Sequence, residues 1–250
     1  MFLILFYGLL IRCEFKFYHV LGYLFFVMFD KSREILFEYL RVVLGLGTPP
    51  VRRSNKGFKG YIFTDILSRH LKDTISDRYS LVVGPLWIKG LEWIEWDLAI
   101  TEENAMLDYA RWYNPDKIVV LFECKVSGIY GKREELCKLC EKLKDRFKSA
   151  HKVCKNLMEC YYVSLVEAKP IDGEDGINYY KVAKEEIKDS FISSFMFFNS
   201  RSVEKLCRQY LRVYRDEMDI SEIAKKVACE AEKLDEWVDF VEALRGSLRI

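Results

Sequence analysis

The sequence predicts an α/β protein whose elements run helix, three strands, helix, strand, followed by a mostly helical C-terminal region. Three observations carry that prediction. Four short runs rich in β-branched and aromatic residues, at 79–88, 93–100, 118–126 and 158–166, have the length and composition of strands. Between the third and fourth lies Arg133–Lys155, where Leu136, Leu139, Cys140, Leu143, Phe147, Ala150 and Cys154 recur at helical spacing. The first two runs are separated only by Lys89-Gly90-Leu91-Glu92, a turn-sized link that predicts a hairpin.

The first helix is predicted over about 30–44. Asp30 stands where an N-cap belongs, Ile35, Leu36, Tyr39, Leu40 and Val43 share a face, and Gly45, Gly47, Pro49 and Pro50 end it. A basic loop at 51–60 follows, with Arg52, Arg53, Lys56 and Lys59 and no acid. Tyr61–Ser76 has apolar residues at 62, 63, 66, 67, 71 and 75 and reads as the first helix of the core. After the hairpin, a polar loop through Asn114-Pro115 leads to the third strand. Beyond the fourth strand, Pro170, Gly173 and Gly176 mark a loop, and Ser221 is placed to cap a long last helix running to about Leu244. The chain therefore divides into a hydrophobic segment at 1–29, a helix and basic loop at 30–56, a core at 57–170 and a mostly helical extension at 171–250.

Composition bounds the function more loosely. The 250 residues are half hydrophobic, enough to bury a substantial core, and the formal net charge of +1 names no partner. Distribution says more: residues 131–155 hold nine Lys/Arg against four acids, whereas 219–242 hold eight acids against three lysines. Basic stretches near the middle and an acidic end suggest one surface facing a polyanion, with solvated helix faces as the competing account. The eight cysteines do not form the framework of a small disulfide-rich protein, and reduced thiols in a cytoplasmic protein are expected. Cys137 and Cys140 form a CxxC, but Cys140 belongs to the apolar helical series, so core packing is expected there rather than a metal site.

Met1–Ile11 and Phe17–Phe29 are apolar, and each is shorter than the roughly 20 residues that span a bilayer. No small-residue cleavage site follows either run. A membrane anchor and a translation start at Met28 are the two readings of this segment, and stable membrane association is not expected.

The chemistry concentrates in KIVVLFECKVSG, residues 117–128. In a strand, Glu123 and Lys125 project from one face, and a buried charge without a partner is costly. Asp97 lies near the end of the second strand of the hairpin, WIEWDLAI at 93–100, one loop earlier. Adjacent strands would bring the two ends together, giving hard oxygen ligands for Mg²⁺ with a cation beside them. Mg²⁺ takes one or two carboxylates together with water and phosphate oxygens, and Mn²⁺ would substitute. Lys125 would orient or deprotonate water, or stabilise charge in the transition state.

With these residues the sequence resembles the PD-(D/E)xK nuclease superfamily, with its restriction-endonuclease-like fold, over roughly residues 57–168. The family's motif places an Asp on the second core strand and (D/E)xK on the third; here these are Asp97, in WDLAI rather than PD, and Glu123-Cys124-Lys125. The resemblance implies a mixed central sheet flanked by helices in the order α-β-β-β-α-β. It also implies Mg²⁺-dependent phosphodiester hydrolysis, usually of DNA, of restriction, repair or junction-resolving type; a homodimer would follow by analogy with nucleases that cut both strands. Members often add an acid from the first core helix, for which Asp65 is the candidate.

The other ExK triplets, at Glu14, Glu167 and Glu186, lack a hairpin strand ending in Asp before them. Glu95 shares a face with Asp97, as an outer ligand or a solvent-facing residue. Ser127, Gly128, Tyr130 and Lys132 follow the motif, with Lys132 placed to meet phosphate. Arg52, Arg53, Lys56 and Lys59 are the further candidates for phosphate contact. His70 and His151 have no ligand-spaced partners, and Trp87, Trp93 and Trp96 are expected in the core. Two other functions compete: a nuclease-like domain that binds nucleic acid or protein without cleaving it, and a membrane-associated domain anchored by the N-terminal segment.

Overall fold

The computed structural model describes residues 30–48, 50, 56–107, 111–127, 129–130, 133–167, 169–170, 179–213 and 217–249, with backbone alone at 56, 129–130, 169–170 and 179. The two N-terminal apolar runs and the Met28 start lie outside these residues. Among the described residues no helix is long and apolar enough to cross a membrane.

The core is a six-stranded mixed sheet between two helical layers. Its strands are β1 (Tyr79–Ile88), β2 (Glu95–Glu102), β3 (Trp112–Tyr113), β4 (Ile118–Lys125), β6 (Glu159–Val166) and β8 (Ile192–Phe198), in the order β3-β1-β2-β4-β6-β8. β5 (Ile129–Tyr130) and β7 (Lys169–Pro170) form a separate small pair. β2 is antiparallel to β1 and β4, whereas β4, β6 and β8 are mutually parallel. Helix α2 (Lys56–Lys72) precedes the three long strands, and α3 (Arg133–Val153) crosses from β4 to β6. That is the mixed sheet flanked by helices, in the order α-β-β-β-α-β, which the resemblance implies.

Strand β4 explains why the sheet is double-sided. Seven of its eight residues are buried, with only Lys125 partly open, as befits a central strand covered on both faces. Phe122 and Cys124 face the layer of α1 (Lys31–Gly45), α2, α5 (Ser200–Val213), α6 (Ile220–Glu230) and α7 (Trp237–Leu248). Leu121 faces the layer of α3 and α4 (Tyr179–Ile187), where Leu136, Cys140, Leu143, Phe147 and Ala150 form the buried stripe of α3. Cys140 and Cys154 are buried in that layer, as the helical spacing predicts, and Cys160 of β6 joins them. Burial raises the Cys140 and Cys154 thiols to about 12.

Asp30 caps α1 by accepting the Arg33 amide at 3.2 Å. The Arg33 guanidinium in turn reaches the carbonyls of Ala228 and Cys229, both at 2.6 Å, at the C-terminal end of α6. A cation there meets the negative end of the helix dipole and ties α1 to α6 within one layer.

The C-terminal region differs from the sequence reading in two places. It contributes the sixth strand, β8, paired in parallel with β6 from Cys160↔Ile192 to Val166↔Phe198. The single long helix expected to start at Ser221 is two helices, with Asp219 as the cap of α6, accepting the Glu222 amide at 2.8 Å. The chain leaves the helix at Ala231 because residues 232–234 bond to the end of β8. Asn199 donates to the Glu232 carbonyl and Leu234 to the Phe197 carbonyl, both at 2.9 Å. The outer edge of β8 is also occupied by side chains: Met196 N–H donates to Asp235 at 2.6 Å, and Lys184 donates to the Ser194 carbonyl.

Two buried positions make the fold testable. Strand β1 bulges between Val83 and Leu86, and there Gly84 comes so close to β2 that a Cβ would stand 2.3 Å from the Trp96 carbonyl oxygen and 2.7 Å from that of Asp97. Those are backbone atoms of a central strand and have nowhere to go. Gly84→Ala is expected to cost about 3 kcal/mol or more in urea unfolding. Glu167, at the end of β6, is buried, and desolvation raises its carboxyl from 4.5 to about 7 against the opposing bond from the Ser200 amide. The folded state then holds a proton that the unfolded chain releases between these two values, so stability falls as pH rises through that window. Comparing wild type with Glu167→Gln at pH 5 and pH 8 should reveal about 3 kcal/mol of pH dependence that the variant lacks.

Candidate active site

Continuing the β2–β4 register one step beyond Leu98↔Phe122 sets Asp97 opposite Glu123. Opposed residues share a face, so both carboxylates and Lys125 turn toward α3. The Asp97 carboxylate accepts the backbone N–H of Cys124 at 2.8 Å through Oδ2, fixing its direction across the strand gap. Lys125 Nζ stands 3.5 Å from the same oxygen and is directly paired with Glu123 Oε1. Glu123 is 4% exposed, which only paired charges make tolerable, whereas the side chains of Asp97 and Lys125 are 31% and 42% exposed. Burial alone would lower the Lys125 ammonium; Glu123 and then Asp97 outweigh it and hold the group above the usual lysine range.

A fourth residue completes the cluster, and sequence reasoning did not find it. Arg146 of α3 donates from Nη1 to Glu123 Oε1 at 3.1 Å and from Nη2 to the Glu95 carbonyl at 2.5 Å. Its guanidinium lies 5.1 Å from the Trp96 ring centroid, a cation–π contact that anchors it to the sheet. The available signal was weak: Arg146 precedes Phe147 on the border of the apolar stripe of α3.

These groups line an open cleft of about 540 Å³ together with Trp93, Ile94, Glu95, Asp145 and Ser149. Four of the lining residues are acids, Glu95, Asp97, Glu123 and Asp145, against the two cations Lys125 and Arg146. A polyanion entering such a cleft needs added positive charge. Asp97 Oδ1 and Glu123 Oε2 accept no hydrogen bond from the described residues, whereas the other oxygen of each is engaged. Two carboxylates with one uncommitted oxygen apiece fit Mg²⁺, which fills its remaining positions with water and substrate oxygens. Among the described residues no three carboxylate, imidazole or thiol groups gather as a larger cage.

The remaining candidates are placed as follows. Asp65 is exposed on α2, which packs on the opposite face of the sheet, and its carboxylate lies 3.4 Å from Arg69. It does not line the cleft. Glu95 does, with its side chain exposed. Lys59 is not a surface cation but 3% exposed within α2, and burial lowers its ammonium below the usual lysine range. Arg52, Arg53, Gly128 and Lys132 lie outside the described residues, as do the side chains of Lys56 and Tyr130; Ser127 is half-buried after β4. His70 pairs with Glu38 at 3.0 Å and His151 stacks on Phe191, both away from the cleft. Trp96 is fully buried, as expected, and Trp87 is partly buried beside Trp112. Trp93 departs from expectation: β2 begins at Glu95, so Trp93 falls in the preceding turn and is 76% exposed.

No protein-family model matches the chain, and no curated protein matches it in sequence. Among solved structures it is similar to the cAAA-bound form of NucC from E. coli MS115-1, at 11% identity and a TM-score of 0.43, over 86% of this chain and 97% of that one. NucC from P. aeruginosa ATCC27853 in its cAAA-bound form matches at 12% identity and 0.38, over 62% and 70% of the two chains. The apo form of the E. coli protein matches at 11% and 0.32, over 62% and 69%. Likeness at these scores is too distant to bear on the site.

The cluster makes its own prediction about ions. Asp97→Asn and Glu123→Gln preserve shape and an acceptor oxygen but remove one charge each, so each should lower Mn²⁺ affinity by at least about tenfold in calorimetry. Arg146→Ala, which frees Glu123 Oε1 of one cation, should instead tighten Mn²⁺ binding severalfold.

Proposed function

We propose that this protein is a metal-dependent nuclease that hydrolyses phosphodiester bonds in DNA, with its chemistry in the segment 57–170. One observation carries the reading: Asp97 and Glu123 converge from neighbouring strands on the open end of a cleft, with Lys125 within reach of both carboxylates. Bound between Asp97 and Glu123, Mg²⁺ would activate water and offset charge on the phosphate. The protein supplies the rest. The Cys124 amide and Arg146 fix the directions of the two carboxylates before substrate arrives. Lys125 presents an ammonium beside the carboxylates, where the scissile phosphate gains negative charge in the transition state. The acidic residues of the lining would attract a divalent cation, and a bound cation would in turn offset their repulsion of DNA phosphate.

The reading in which the domain binds without cutting draws on Arg146, whose positive charge on Glu123 Oε1 opposes a metal at the other oxygen of the same carboxylate. Cleavage assays on linear, circular, branched and single-stranded DNA with Mg²⁺ and Mn²⁺ separate the two. Wild type should cut at least one of these only when a divalent ion is present. Lys125→Ala and Asp97→Asn should each lose about 100-fold or more in rate while keeping the wild-type circular dichroism spectrum. Wild-type rates in both variants would remove these residues from the chemistry.

A further inference from the structure

We propose that Trp93 is a nucleobase-stacking subsite of this cleft, so that the strand to be cut presents at least one unpaired base beside the scissile phosphate. The inference rests on the nuclease reading and adds the form of the substrate. Trp93 is 76% exposed, whereas the other large exposed apolar side chains among the described residues lie between 38% and 59%. Its exposure is imposed by the turn. Leu91 donates to the Ile88 carbonyl at 2.9 Å and Ile94 to the Leu91 carbonyl at 3.0 Å, two successive tight turns. Gly90, at φ +91°, opens the turn, and its N–H donates to the Glu92 carboxylate at 2.8 Å. Leu91 and Ile94 are 1% and 5% exposed, so the chain on both sides of Trp93 is pinned to the core while the indole faces water.

A rigid turn that leaves a large aromatic ring in solvent has prepared a flat partner site at little entropic cost. Trp93 lines the same cleft as Asp97, Glu123, Lys125 and Arg146. It precedes Asp97 by four residues, so the two Cα atoms are at most about 14 Å apart. The cleft therefore offers an aromatic side chain within reach of charged groups, which matches the two halves of a nucleotide. In a duplex both faces of a base are covered by its neighbours. A base on Trp93 must therefore come from a single strand, a flap or a locally opened duplex.

Fluorescence anisotropy with a labelled single-stranded oligodeoxynucleotide tests this, with Ca²⁺ in place of Mg²⁺ so that binding is read without hydrolysis. The same strand is also prepared without bases, as a sugar–phosphate chain. Trp93→Ala should bind the intact strand about 10- to 100-fold more weakly than wild type, and Trp93→Phe only a few-fold more weakly. On the base-free strand all three proteins should bind alike. Equal affinity of wild type and Trp93→Ala for the intact strand overturns the subsite. So does an equal loss on the base-free strand, or a loss explained by dissociation of an oligomer in sedimentation runs. Parallel cleavage in Mg²⁺ keeps the two ideas apart: base-dependent binding without cleavage removes the nuclease reading alone, and cleavage with binding indifferent to Trp93 removes the subsite alone.

Discussion

Glu123 is a carboxylate set inside the central strand of a covered sheet, and the structure around it is organised to make that tolerable. Water barely reaches a side chain that is 5% exposed, so its charge must be met by protein. Lys125 meets it from two residues further along the same strand face, and Arg146 from the helix lying over that face. Removing either cation would leave an acid in the core with half its compensation. The pair therefore binds β4 to α3 electrostatically where apolar packing already binds them through Leu121, Leu143 and Phe147. Asp97, less buried, is positioned by a backbone amide and shares the Lys125 ammonium at 3.5 Å.

This arrangement also divides the sheet by face. The side bearing Phe122 and Cys124 is packed as core: Phe122 stacks on Tyr161 at 5.4 Å and meets Phe240 edge-on at 6.5 Å. The side bearing Asp97, Glu123 and Lys125 is apolar toward the middle of the strands and polar only where they end. The switch needs no loop of its own, since the two-residue period of β4 alone separates Cys124 from its neighbours.

What could be read from the sequence follows the range of the interactions involved. The shared face of Glu123 and Lys125 was legible from strand periodicity; Asp97 was expected near the end of its strand but stands third in β2, and antiparallel pairing sets the start of β2 beside the end of β4. Arg146 was not legible, because which of the many cations on α3 meets the cleft depends on how that helix is rotated over the sheet. Lys59 was misread for a related reason. It was taken as the end of a basic loop, but α2 begins at Lys56, and helical spacing sets Lys59 one turn before Phe63 on the buried stripe. Trp93 turned on a shift of two residues in where β2 begins. β8 escaped notice because Ser193 and Ser194 interrupt its apolar run, and the split between α6 and α7 because its cause, bonding to β8, is distant in sequence.

The two edges of the sheet have a bearing on how this protein meets copies of itself. At one edge, β1 carries the Gly84 bulge and then Pro85, which has no N–H to offer, and the short β3 covers its end. At the other, Lys184 and Asp235 take the outward groups of Ser194 and Met196. Among the described residues, neither edge is an uninterrupted row of backbone donors and acceptors that a neighbouring chain could extend. Open edges are the usual route to strand-by-strand polymerisation. With both interrupted, two copies that associate through these parts would have to do so by matching side chains, which favours a defined complex over an indefinite fibre.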